Sequence, residues 1–228
     1  MKFNYCISSF NAAHNHPRTG FSLVEMLTVL SIVSVLVSVS VVGFNNNKSG
    51  KEIRRAIVET TGFVSYAQIR ASAMNTYVYV ALSTANTDSV DLLMFESTTG
   101  LDAMDGKTSF TVNDEPDFVV SQPSVELKGI GFRDSRSSGT TYTPAISTLP
   151  TTGGDAISNC NITYRRGSQT ITFDRLITFH PSGQVLNSGT YSSSMEFGFQ
   201  EQNQAIERPN PVAFMISGLT GQVRIFRP

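Results

Sequence analysis

The residues best placed for chemistry lie near the start of the chain, at Gly20-Phe21-Ser22-Leu23-Val24-Glu25. The run from Phe21 to Phe44 is apolar and carries one charge, Glu25. A carboxylate near the end of a membrane helix is costly unless neutralised or paired, so Glu25 calls for a cation. A secretory signal is cut after its apolar core and rarely holds a carboxylate inside it. Here the candidate cut, after Gly20, precedes the core, and the apolar segment stays on the product. The plainer alternative is an ordinary anchor whose Glu25 snorkels to the headgroups.

Little else in the chain has the makings of a reaction centre. Cys6 and two of the three histidines, His14 and His16, precede the cut, leaving His180 and Cys160. These two fall short of a tetrahedral metal set, and no Ser/His/Asp or Cys/His spacing is present. The chain therefore reads as a non-enzyme with no cofactor and no metal site. Cys160 alone excludes an intrachain disulfide and reads as a packing or loop thiol. Asp102, Asp105, Asp114, Glu115 and Asp117 form the densest acidic stretch, but without calcium-loop spacing they read as a solvated face. The basic pairs beyond the first helix are Arg165-Arg166 and Arg224 with Arg227. Removing residues 1–20 takes away Lys2 and Arg18 and leaves 15 cations against 18 anions, which is no nucleic-acid footprint.

The elements that must carry these residues follow from periodicity. Residues 21–44 make 24 positions, about 36 Å as a helix, enough for a hydrocarbon core of about 30 Å. Lys2 and Arg18 in the leader, 1–20, fit the positive-inside rule, with the C-terminal part on the periplasmic side. Gly43 to Gly50 predicts a bend or loosened turn. Beyond it, Ile53, Ile57, Val64, Ala67, Ala71 and Met74 form an apolar stripe, with Arg54, Arg55, Glu59, Gln68 and Arg70 on the other side. This predicts an amphipathic continuation over 45–75 that stops at Asn75.

From 76 to 228 the texture is that of short strands: 77–82, 92–95, 110–112, 118–120, 125–127, 170–173, 177–179, 184–186, 212–216 and 223–226. Residues 134–161 predict a polar, mobile loop with little core material. One long helix packed on an antiparallel sheet gives an α+β fold.

The Gly20-Phe21 junction with Glu25 resembles the type IV pilin and pseudopilin family. Tyr66-Ala67-Gln68-Ile69-Arg70-Ala71-Ser72-Ala73-Met74-Asn75, followed by Tyr77-Val78-Tyr79-Val80, resembles minor pseudopilins of the GspH/FimT type, as do Ile177 to Gly183 and Gly221 to Arg224. The last nine residues are also similar to the D protein of the Verru/Chthon cassette. The resemblance implies cleavage between Gly20 and Phe21 by prepilin peptidase and N-methylation of Phe21. It also implies assembly into a secretion or pilus-like filament, with Glu25 meeting the terminal ammonium of a neighbouring subunit. The implied partners are other pilins, the peptidase, the inner-membrane assembly platform and lipid before assembly; the implied place is the bacterial inner membrane. Some FimT-type relatives bind DNA through a basic C-terminal segment, which makes Arg224 and Arg227 the weaker, nucleic-acid candidates. A membrane-anchored binding domain that never polymerises is the other alternative.

Overall fold

The computed structural model of the chain describes residues 22–105, 107, 109–202 and 210–228, the side chains of 39–49 excepted. The chain divides into two compact units, Met1–Phe44 and Asn45–Pro228. Helix α1 is assigned from Leu23 to Met74. The helical assignment continues through 43–50, where the sequence predicted a loosened turn. In the first unit every described side chain is exposed, among them Leu23, Met26, Leu27, Leu30 and Leu36.

In the second unit the helix sets its stripe against the sheets. Ile53, Ala56, Ile57, Phe63, Val64, Ala67 and Ala71 are buried at helical spacing in one continuous core. Met74, placed on that stripe by spacing, is 58% exposed because the helix ends there. Asn75 follows at φ +50°, and the Thr76 amide donates back to the Ala71 carbonyl at 3.2 Å. Asn tolerates the left-handed conformation that closes a helix in this way.

Twelve strands are assigned among the described residues. β1 (Val78–Ser83), β2 (Ser89–Ser97), β3 (Ser109–Thr111), β4 (Phe118–Lys128), β6 (Ser158–Arg166) and β7 (Gln169–Phe179) form the main path of one sheet. Its order is β3-β6-β7-β1-β2-β4, with β8 (Val185–Asn187) paired to the end of β7 and β9 (Thr190–Tyr191) paired to β8. The pairing is antiparallel except between β3 and β6. A second sheet runs β12-β11-β10-β5, from β5 (Ile130–Arg133), β10 (Ser194–Glu201), β11 (Val212–Ser217) and β12 (Val223–Phe226).

β1 is buried at all six positions because both faces are covered. Val78, Val80 and Leu82 face the core shared with α1 and the second sheet; Tyr79 and Ala81 face a second cluster with Phe95, Phe110, Phe118 and Phe173. A strand covered twice reads as an unbroken apolar run, as this one does.

Several boundaries differ from the sequence reading. The runs 118–120 and 125–127 are one strand, β4, whose pairing with β2 shifts register around Met94. Pro123 lies within it, and β4 is the end strand of the sheet path, where a missing amide donor is tolerated. The runs 170–173 and 177–179 are likewise one strand, β7. β5, β6 and β10 had no predicted counterpart, although Met195, Phe197 and Phe199 alternate and are fully buried. The 134–161 stretch contributes more core than its composition suggests: Tyr142 and Ile146 cluster with Ala213.

Candidate functional site

The first candidate is the start of α1. Ser22 is the residue before the helix, and the Glu25 amide donates to Ser22 Oγ at 3.2 Å. Ser-x-x-Glu is the capping-box order, in which the side chain satisfies one of the orphan amides of the first turn. Glu25 is also the acidic residue of that turn, where the positive end of the helix dipole favours a carboxylate. Its side chain is exposed. Gly20 and Phe21, the predicted cut and methylation site, lie outside the described residues, as does the 1–20 leader.

The hydroxyls that interrupt the apolar run bond inward. Thr28 Oγ1 donates to the Glu25 carbonyl at 2.9 Å, Ser31 Oγ to Thr28 at 2.8 Å, Ser34 Oγ to Ser31 at 2.8 Å and Ser38 Oγ to Ser34 at 2.8 Å. Polar groups satisfied within the helix can meet lipid or an apolar neighbour without a separate partner. Glu25 is the one residue of the described stretch 22–38 with an acidic or basic side chain. Among the described residues no helix is long and apolar enough to cross a membrane. The described side chains of the run end at Ser38, so part of the predicted span, 21–44, lies outside them.

Residues 15–41 match the family model of the prokaryotic N-terminal methylation motif. That motif supports a type IV pilin-like prepilin. The same motif supports a substrate of prepilin peptidase. No curated protein and no solved structure matches the chain.

The β domain grips α1 at residues that the helical pattern placed on the solvent side. Arg70 reaches β2, where Nη2 donates to Glu96 Oε1 at 2.8 Å and Nε to Oε2. Gln68 Nε2 donates to the Thr220 carbonyl in the turn between β11 and β12. In that turn Gly221 has φ +67°, and a Cβ there would stand 2.7 Å from the Gly183 carbonyl oxygen of the β7–β8 turn. Gly183, at φ +81°, sits in turn against Ser72. The β7–β8 and β11–β12 turns thus close together on one patch of α1. The signal that could have found this contact is the pair of turn glycines, since each permits a conformation and an approach that a side chain would block.

The remaining candidates are structural in their surroundings. His180 packs edge-on against Tyr77 and Tyr191, with centroids 5.1 and 5.9 Å away, and its Nδ1 accepts the Ser182 amide at 3.0 Å. Cys160 is half-buried and donates to the Phe173 carbonyl at 3.4 Å; burial pushes its thiol up to about 12, away from a nucleophilic thiolate. The acidic stretch is partly neutralised: Lys107 Nζ lies 2.6 Å from Glu115 and 3.0 Å from Asp117, Arg165 pairs with Asp114, and Asp102 accepts from Tyr79 at 2.9 Å. Among the described residues no group of three or more His, Cys, Asp or Glu is set to hold a metal. Arg224 and Arg227 are exposed on and just after β12, an edge strand, with no further cation beside them on that strand.

The 134–157 stretch is held by an ion pair that the sequence did not signal. Glu196 on β10 is fully buried, and Arg136 donates to it through Nε at 2.9 Å and Nη2 at 2.8 Å. The amides of Arg136 and Gly154 add bonds of 3.2 Å each. Burial pushes the Glu196 carboxyl up, but these donors outweigh it and hold the group below the usual range.

Proposed function

We propose that the chain is a structural minor pilin or pseudopilin subunit of a type II secretion or type IV pilus-like filament. Prepilin peptidase cuts it between Gly20 and Phe21 and methylates the new amine of Phe21. Before assembly it rests in the bacterial inner membrane as a single-pass protein, through 21–44, with its C-terminal domain in the periplasm. In the filament the apolar helix packs against other pilins, and Glu25 sets the stagger by pairing with a neighbour's terminal ammonium. Registry is the best-attested use of such a buried pair.

One observation carries this reading: the methylation motif at 15–41 opens a helix whose first part exposes a run of large apolar side chains, among them Leu23, Met26, Leu27, Leu30 and Ile32. A bare apolar surface of that extent calls for lipid or partner helices. The β domain then supplies contacts with other subunits, the assembly platform or cargo. The GspH/FimT type is supported by the joint closure of the two C-terminal turns on α1, at the sequences that carry the resemblance.

Intact-mass measurement on protein recovered from membranes tests the reading. The expected mass is that of a chain beginning at Phe21 with one added methyl group. An uncut chain in cells with active prepilin peptidase, or a terminus after Phe44, overturns it.

A further inference from the structure

The first turns of α1 in the second unit carry a pattern that the core does not use. Ile53, Ala56 and Ile57 are buried, while Lys51, Arg54 and Arg55 are all exposed. Spacings of three and four set these cations together on the side of the helix away from the core. The acid among them, Glu52, is turned aside: it lies against Gly129, where a Cβ would overlap its carboxylate. Among the described residues neither Lys51 nor Arg54 is paired with a carboxylate. Arg55 lies 3.8 Å from Glu59 and its side chain is still 61% exposed, and an exposed pair of that length holds little. The outward face of 51–55 is therefore cationic throughout.

Three free cations on one open face suit a surface of spaced negative charges, and their place in the chain selects which surface. Lys51 follows Phe44, the end of the apolar run, by seven positions, which is about 10 Å of helix. That is about one Debye length from the headgroups at the end of a span, and long Lys and Arg side chains reach back toward such an interface. The acidic stretch of a second copy is a poorer match, because Lys107 and Arg165 already pair with Glu115, Asp117 and Asp114. We propose that the Lys51-Arg54-Arg55 face binds anionic phospholipid headgroups at the membrane surface before assembly. An arginine fork takes two phosphate oxygens at once, and lysine meets them as a point charge. The inference rests on the reading of 21–44 as a membrane span and adds the class of lipid that its exported flank selects.

The test uses the full-length chain in neutral detergent micelles, with native mass spectrometry counting the phosphatidylglycerol or phosphatidylcholine it retains. Each cation near an anionic surface contributes about a fivefold gain in binding, so the wild type should prefer phosphatidylglycerol by at least about tenfold. The preference should disappear in the triple variant Lys51→Gln, Arg54→Gln, Arg55→Gln and survive in Lys51→Arg, Arg54→Lys, Arg55→Lys, which keeps the charges. Equal retention of the two lipids by the wild type, or an undiminished preference in the glutamine variant, overturns the proposal. So does inorganic phosphate that displaces the lipid better than chloride at equal ionic strength, which marks a small-anion site. A wild-type dimer that the glutamine variant loses also overturns it and assigns the face to a second copy. A chain that stays in solution without detergent overturns the span itself, whereas one that needs detergent but shows no lipid preference overturns the lipid proposal alone.

Discussion

Arg70 of α1 and Glu96 of β2 form a two-point pair, with Nη2 2.8 Å from Oε1 and Nε bonded to Oε2. Glu96 is nearly buried, so the pair joins the helix to the next-to-last strand of the larger sheet. Arg70→Ala should destabilise the domain by about 3–5 kcal/mol, because it leaves a buried carboxylate uncompensated. Glu96→Gln should cost less. The hydrogen bond from Arg70 holds the Glu96 carboxyl below the usual range, against burial. A depressed folded-state value contributes stability above the unfolded pKa, near 4.5, that is lost as pH falls through the folded value. Urea titrations between pH 7 and pH 3 should show this loss in the wild type and a smaller one in Glu96→Gln.

Glu25→Ala should separate assembly from insertion. The substitution makes the apolar run more hydrophobic, so membrane levels should match or exceed wild type. Recovery in sheared filament fractions should fall at least tenfold, because the neighbour's ammonium would enter the apolar core unpaired, at a cost of several kcal/mol. Quantitative blots of both fractions decide it, and equal recovery in filaments would remove Glu25 from the register mechanism.

Gly221→Ala should loosen the grip of the two hairpin turns on α1. The backbone there is left-handed, and the added Cβ meets the Gly183 carbonyl oxygen at 2.7 Å. A cost of about 1–3 kcal/mol is expected from the conformation alone. Thermal melting should show the loss, and amide exchange should rise at 181–184 and 218–222. Gly139→Ala, where a Cβ meets nothing within 4 Å, controls for the left-handed backbone without the collision.

Asp91 predicts the opposite pH behaviour to Glu96. Burial, and then Glu126, push its carboxyl above the usual range, and Oδ1 has no partner. A raised folded-state value stabilises fully below the unfolded pKa, and that contribution is lost as pH rises through the folded value. Asp91→Asn should therefore melt higher than wild type at pH 7, with the difference closing near pH 3. A variant that melts lower at pH 7 would show that the carboxylate is paired in solution.

Deleting residues 1–48 should leave a folded monomer. The second unit begins at Asn45 and keeps the buried stripe from Ile53 to Ala71. Circular dichroism and gel filtration of the truncation check this, and aggregation would mean that the domain needs the first segment of the helix.

The sequence by itself determined what depends on near neighbours. The Gly20-to-Glu25 junction, the apolar helix stripe that begins at Ile53 and the stop at Asn75 all follow from spacings of a few residues. Tertiary structure alone decided which surfaces met. Arg70 and Gln68 read as solvent-side residues because nothing local says that a strand edge or turn would come down on their flank of the helix. Residues 134–161 read as a polar, mobile loop because the partner of Arg136, Glu196, lies sixty positions further along the chain. Glu196 and Glu201 sit in a strand, β10, that helical and strand periodicity passed over, and their burial comes from the layers laid on either side. Periodicity encodes which face of an element is apolar; the partner that covers a charged residue is set by contacts far apart in the chain, and only the folded topology supplies them.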